Sequence, residues 1–166
     1  IETATVIGTV ATDGDAKAVI TCAGMTGTPK TIAATVQAGT AQVETGTVIG
    51  HVILAGNAHV TVVSARTAVS PAVYEVYLDA LDEEADVATK IRAELNTQSN
   101  ITNVYTVGGS GADVTLTDKT KRADDTTLNI AIDSDTCTGL TAAPTSDPTT
   151  PGVAADNATA VAGKLH

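Results

Sequence analysis

Residues 5–16 read TVIGTVATDGDA, and residues 47–58 return as TVIGHVILAGNA. The likeness holds at a constant offset of 42 without a gap over about forty positions. Glu2 meets Glu44, Val6-Ile7-Gly8 meets Val48-Ile49-Gly50, Val10 meets Val52, and Gly14 meets Gly56. Further on, Ala16 meets Ala58, Ala23 meets Ala65, Pro29 meets Pro71 and Ala38 meets Ala80. Matched glycines and prolines fall where turns belong, and matched valines and isoleucines where strands belong. The chain therefore carries one supersecondary unit twice. Each copy predicts three strands: Thr5–Ala11, Ala16–Ala23 and Lys30–Ala38, then Thr47–Leu54, Ala58–Ala65 and Ala72–Leu81. Asp13-Gly14 and Gly56-Asn57 are turn pairs that tolerate positive φ and close hairpins.

Only the second copy continues. Asp82-Glu83-Glu84 opens a helix to about Asn96, with Asp82 as its cap and an acidic first turn complementing the dipole. Val87, Ile91 and Leu95 make one apolar stripe with Ala88 beside it, and Asp86 and Lys90 form an i,i+4 pair. Strands follow at Val104–Val107, Val114–Asp118 and Leu128–Ile132, the first two joined by a Gly108-Gly109-Ser110-Gly111 turn. From Thr141 the chain is rich in Thr, Pro and Ala, and Pro144, Pro148 and Pro151 keep it extended. The expected fold is α+β, mainly β: a duplicated three-stranded meander, one amphipathic helix packed on an antiparallel sheet, and an extended C-terminal arm. Its parts are a partial repeat at 1–41, a complete β-α-β module at 42–140 and the arm at 141–166. A bare three-stranded meander is marginal alone and leaves a raw edge, so it needs cover from the second copy or from another subunit.

Composition narrows the function. With no Phe or Trp and only three Tyr, the core must be built from Val, Ile, Leu and Ala. The missing stacking rings also remove the usual platforms of a carbohydrate-binding module. A net charge of −10 argues against gripping a phosphate backbone. The one basic run, Lys119-Thr120-Lys121-Arg122, reads as a solvated loop ahead of Asp124-Asp125. No segment approaches the roughly 20 apolar residues of a membrane span. No leader pattern opens the sequence, and a start at Ile1 is what removal of a leader or an initiator Met would leave.

No catalytic, cofactor or metal constellation emerges. His51 and His59 sit on strands of one expected hairpin, close enough to approach each other, but two histidines without a third ligand make a poor zinc site and read as solvent-facing positions, with His166 the remaining histidine. Asp13-Gly14-Asp15, Asp82 to Asp86, Asp124-Asp125 and Asp133-Ser134-Asp135 lack calcium-loop spacing and read as turns and caps. Gly108 to Gly111 precedes a strand rather than a helix, which makes it a hairpin turn and not a phosphate cradle. Cys22 and Cys137 leave two readings open: two buried small side chains, or a disulfide within or between chains.

The stretch Asp79-Ala80-Leu81-Asp82-Glu83-Glu84-Ala85-Asp86-Val87-Ala88-Thr89-Lys90-Ile91-Arg92-Ala93-Glu94-Leu95 resembles a pattern of bacteriophage structural proteins. There a strand runs into a helix reading Val-Ala-x-x-Ile-x-x-x-Leu. Gly111 to Thr117, Asp124 to Ile132 and Cys137 to Ser146 extend the likeness, which covers about residues 44–153. The order β-β-helix-β-β is similar to a domain of Mu-like tail sheath proteins and to modules of other virion proteins. This chain differs at Leu81-Asp82-Glu83-Glu84, where the pattern has Gly-Asp-Thr-Ala. The resemblance implies a non-enzymatic, self-assembling structural protein of a tailed phage particle, foremost a head or tail decoration component. A tail-tube subunit is an alternative, as is a cellular extracellular filament or surface-layer subunit assembling by strand donation. The implied location is the virion, or the cell surface in the alternative. The implied partners are copies of the chain and other virion proteins, with no direct nucleic-acid binding, no membrane and no cofactor.

Overall fold

The computed structural model describes residues 3–23, 26–27 and 29–165. It divides the chain into two units: residues 41–152, and residues 1–40 with 153–166. In chain order the larger unit is thus inserted between two stretches of the smaller. The smaller unit holds β1 (Gly14–Ile20) and β2 (Lys30–Val36), an antiparallel pair. The larger begins with β3 (Val43–Thr47), β4 (Ile49–Leu54), β5 (Gly56–Val63) and β6 (Ala72–Leu78). Helices α1 (Glu84–Thr97) and α2 (Ser99–Thr102) follow, then β7 (Tyr105–Gly108), β8 (Asp113–Asp118) and β9 (Asn129–Ser134). Strands β10 (Thr138–Thr141) and β11 (Asp147–Thr150) complete it, and α3 (Ala158–Lys164) belongs to the smaller unit again.

The larger unit is mainly β and antiparallel, as its composition demands. One sheet has the order β11-β3-β8-β7, a second β6-β5-β9, and β4 pairs with β10 in a third. Period-two alternation turns Ala58, Val60 and Val62 of β5 inward against Ile130 and Ile132 of β9 and Val114 and Leu116 of β8. Val87, Ala88, Ile91 and Leu95 of α1 close the same core. Each fully buried aliphatic side chain contributes roughly 1.5–3 kcal/mol, so the expected stripe is what seats this helix. Gly109, at φ 116, makes the tight β7–β8 turn, where a Cβ would collide with the Asp113 carbonyl.

The helix starts differently from expectation. Glu83 is the N-cap, and its amide donates to Asp86 Oδ2 at 3.3 Å. Asp82 instead accepts from the Asp79 amide (2.8 Å) and pairs with Lys90 (2.6 Å). Lys90 also reaches Asp79, so the expected Asp86–Lys90 pair does not form.

The duplication survives folding, but as a hairpin rather than a three-stranded meander. The β1–β2 register runs from Gly14↔Val36 to Ile20↔Lys30, and the β5–β6 register from Gly56↔Leu78 to Val62↔Ala72. Both strands and every pairing are shifted by the same 42 residues. Backbone details repeat as well: Gly8 (φ 93) matches Gly50 (φ 87), and Gly39 (φ 76) matches Leu81 (φ 72). The expected first strand fares differently in the two copies. Residues 49–54 form β4 because β10 pairs with them, and they do not bond to β5. Among the described residues, 5–11 have no such partner strand and make a single bridge, Thr9↔Asn157. The Glu2–Glu44 match has one member outside the described residues.

The segment 141–166 is not a free arm. Its first part supplies β11, which pairs with β3, while Ala143 bridges Ile132. Its last part joins the smaller unit, where Thr40 and Val153 exchange backbone hydrogen bonds of 2.8 and 2.9 Å. Prolines did not prevent this, because Pro148 sits on an edge strand, where no amide is needed on the outer side.

Candidate functional site

The residues singled out by sequence do not converge. Cys22 is exposed in the smaller unit and Cys137 is buried in the larger, and each is a free thiol in this single chain. His51 is exposed on β4 and His59 lies on β5 in another sheet. They are not members of one hairpin. His59 faces Glu75 (3.7 Å) and Asp135 (3.8 Å). His166 lies outside the described residues. The acidic stretches act as turn and cap groups: Asp13 accepts from the Ala38 amide (2.6 Å), Asp15 from Thr35 (3.4 Å), and Asp124 from the Gly152 amide (2.8 Å). Among the described residues no group of three or more His, Cys, Asp or Glu side chains is placed to hold a metal ion.

What the sequence did not announce is a buried polar network in the larger unit. The Asp118 side chain, fully buried at the end of β8, accepts from Arg66 and from Arg122 Nε (2.8 Å) and Nη2 (3.0 Å). The Thr120 amide adds a fourth donor at 2.8 Å. The run 119–122 is therefore anchored through Arg122 rather than merely solvated. Burial pushes the Asp118 carboxyl upward, but the Arg122 hydrogen bonds, the Thr120 amide and the two guanidinium charges overcome it and hold the group below its ordinary range. Asp125 behaves alike: burial raises it, while the Thr127 hydroxyl and amide, Ser64 and the Ala65 amide hold it down. Gln42 Oε1 accepts from Arg66 Nη1 (3.0 Å) and the Asp125 amide (2.8 Å), and Tyr105 shares a 2.6 Å hydrogen bond with Ser64. Every buried polar side-chain atom among the described residues has a partner. Such a network stiffens the loops it joins. Ser64 bonds Tyr105, Asp125 and the Arg66 amide, which ties the loop after β5 to the loop before β9.

Beside the network lies a cleft of about 360 Å³, lined by Glu44, Asp124, Asp125, Asn129, Ser146 and Pro148 among others. Glu44 sits on the inward row of β3 with Gln42, Gly46 and Val48, all buried. Burial pushes its carboxyl above the ordinary range, and Asp124, Asp147 and Asp125 push the same way against the hydrogen bond from Ser146 (2.5 Å). The strand expected from sequence begins at Thr47 and so misses β3 and the alternation of Gln42 and Glu44, because this stretch reads as polar.

The surface features that can act on a partner are edges and apolar side chains. β6 bonds only to β5, so its other edge has no backbone partner among the described residues, and Val73 and Tyr77 beside it are exposed. Ile49 and Ile53 project from β4, and Leu81 is 78% exposed although it holds a positive φ. In the smaller unit β1 bonds, among the described residues, only to β2. Compared with models of protein families, with curated proteins and with solved structures, the chain matches none.

Proposed function

We propose that this chain is a non-enzymatic structural protein that assembles into a tailed-phage particle, as a decoration or surface component of the head or tail. The observation that carries the reading is the set of unpaired strand edges flanked by exposed Val, Ile and Tyr side chains. Isolated soluble proteins generally blunt such edges with charge, proline or a covering loop. Supporting it are the likeness of residues 44–153 to phage structural modules and the stiff, fully satisfied polar network. No described helix is long and apolar enough to cross a membrane. Light scattering and negative-stain images of the full chain test the assembly. Rings, tubes or closed oligomers are expected, and a monomer at every concentration defeats the reading. Neighbouring portal and terminase genes are expected beside its gene, whereas secretion genes there favour the extracellular filament.

A further inference from the structure

The hairpin equivalence extends past the point where the gapless repeat stops. In the larger unit Asp82 accepts from the Val52 amide through its carbonyl (2.9 Å) and from the Asp79 amide through Oδ2 (2.8 Å). Its own amide bonds the Asp79 carbonyl (3.2 Å), and Lys90 reaches Oδ2 (2.6 Å). In the smaller unit Asp156 does all four things: with the Val10 amide (3.0 Å), the Gln37 amide (2.8 Å), the Gln37 carbonyl (2.8 Å) and Lys164 (2.6 Å). Val10 and Gln37 are the residues 42 before Val52 and Asp79. Each Asp immediately precedes a helix N-cap, Glu83 or Asn157, and each helix buries its fourth residue, Val87 or Val161. α3 packs on β2 as α1 packs on β6. The smaller unit is thus built on the larger unit's plan, its helix delivered by chain that returns after the insertion.

One partner has no counterpart. β5 is flanked by β6 and β9, whereas β1, its equivalent, is flanked among the described residues by β2 alone. The consequences are visible at matched positions. Val62 is 0% exposed and Ile20 is 44% exposed, and Ala16 and Ala18 are only half-buried where Ala58 and Val60 are fully buried. An open groove of about 870 Å³ runs beside this stretch, lined in part by Thr3, Ala4, Val19, Ile20, Thr21 and Cys22.

We infer that the bare edge of β1 is a docking site for an extended strand of the β9 kind, carried by another polypeptide. The β5–β9 register states its chemistry: His59↔Asp133, Val60↔Ile132, Thr61↔Ala131 and Val62↔Ile130. Moved back by 42 residues, the aliphatic residues of the incoming strand cover Ala18 and Ile20, and its carboxylate lies opposite Lys17. Lys17 is exposed, faces Ala33 on β2, and has no ion pair among the described residues, so the charge complement is unclaimed. Main-chain pairing supplies affinity, and the alternating side chains supply register. The inference does not depend on a virion location, and it stands or falls separately from the assembly test above.

The test uses the full chain and a labelled peptide of residues 126–135, followed by anisotropy. Saturable binding is expected. Lys17→Glu, at an exposed position, should weaken it about tenfold, since an opposite-charge pair is lost and a like-charge pair gained across the strands. A peptide carrying Asp133→Lys should recover binding to that variant. In the same register position 128 falls opposite Cys22, so a Leu128→Cys peptide supplied as its mixed disulfide with glutathione should exchange onto the Cys22 thiolate, releasing glutathione, faster than an Ile132→Cys peptide supplied in the same form. Absence of binding overturns the proposal, as does binding indifferent to Lys17, which would mark exchange with β9 in the larger unit. So does a self-association through β1 that saturating peptide fails to displace, which would assign the edge to a second copy. β1 amides already as protected from hydrogen exchange as those of β5 would also overturn it.

Discussion

The hairpins β1–β2 and β5–β6 share length, register and even the odd backbone angles at their flanks, yet one is sealed and the other half open. Strand pairing is therefore specified locally, by alternation and turn placement, while burial is specified by what arrives later in the chain. For β5–β6 that is α1, β9 and the sheet containing β8. For β1–β2 it is the seven-residue α3, which packs on β2, while Val19 and Ile20 of β1 stay exposed. The same local design yields a core in one setting and an open edge in the other.

The largest effect that would sharpen this contrast is expected at Asp118. Asp118→Ala removes the buried carboxylate that Arg66, Arg122 and the Thr120 amide share and should cost the larger unit about 3 kcal/mol. Hydrogen exchange should then show β5 and β6 losing protection while β1 and β2 keep theirs. Next come matched truncations. Val62→Ala should destabilise by about 2 kcal/mol and Ile20→Ala by less than about 1 kcal/mol, measured by denaturant unfolding. Equal costs would mean that the two faces are covered alike, which breaks the comparison. Leu81 offers a gain. It holds a left-handed conformation that costs a non-glycine residue about 1 kcal/mol, and its counterpart is Gly39. Leu81→Gly should raise stability by up to that amount, whereas Gly39→Leu should lower it, because a Cβ there meets the Ala155 amide at 2.5 Å.

Titration separates the carboxylates of the larger unit. Asp118 and Asp125 are held below their ordinary value of 3.8, so their contribution is present above that pH and is lost as pH falls through their folded values. Glu44 is raised above its ordinary 4.5. The folded state therefore binds the extra proton in the window above 4.5, and ionisation of Glu44 destabilises it as pH rises through that window. Glu44→Gln should raise the melting temperature at pH 7 and remove that part of the pH dependence. An unchanged profile would show that the cleft is wetter than its geometry implies.

Much of the fold was legible because period-two alternation and the Val87, Ile91, Leu95 stripe are short-range signals. The hairpins, the helix and the β7–β8 turn followed from them. The pairing of β4 with β10 was not legible, since its partner lies far along the chain and carries a weak pattern of Thr, Gly and Leu. Nor was the role of α3. The spacing from Asp156 to Lys164 equals that from Asp82 to Lys90, but the insertion moves it off the constant offset. The polar network escaped because Gln42, Ser64, Arg66, Asp118 and Asp125 are scattered in sequence and meet only after two sheets have formed. Local rules cannot see such a convergence.

The bridge between Thr40 and Val153 sets the two passages of the chain side by side. Closing a loop between neighbouring ends costs little entropy, so exchanging residues 41–152 for a short glycine-serine tether is expected to leave the Thr40–Val153 bridge and the β1–β2 hairpin in place, as amide hydrogen exchange would show.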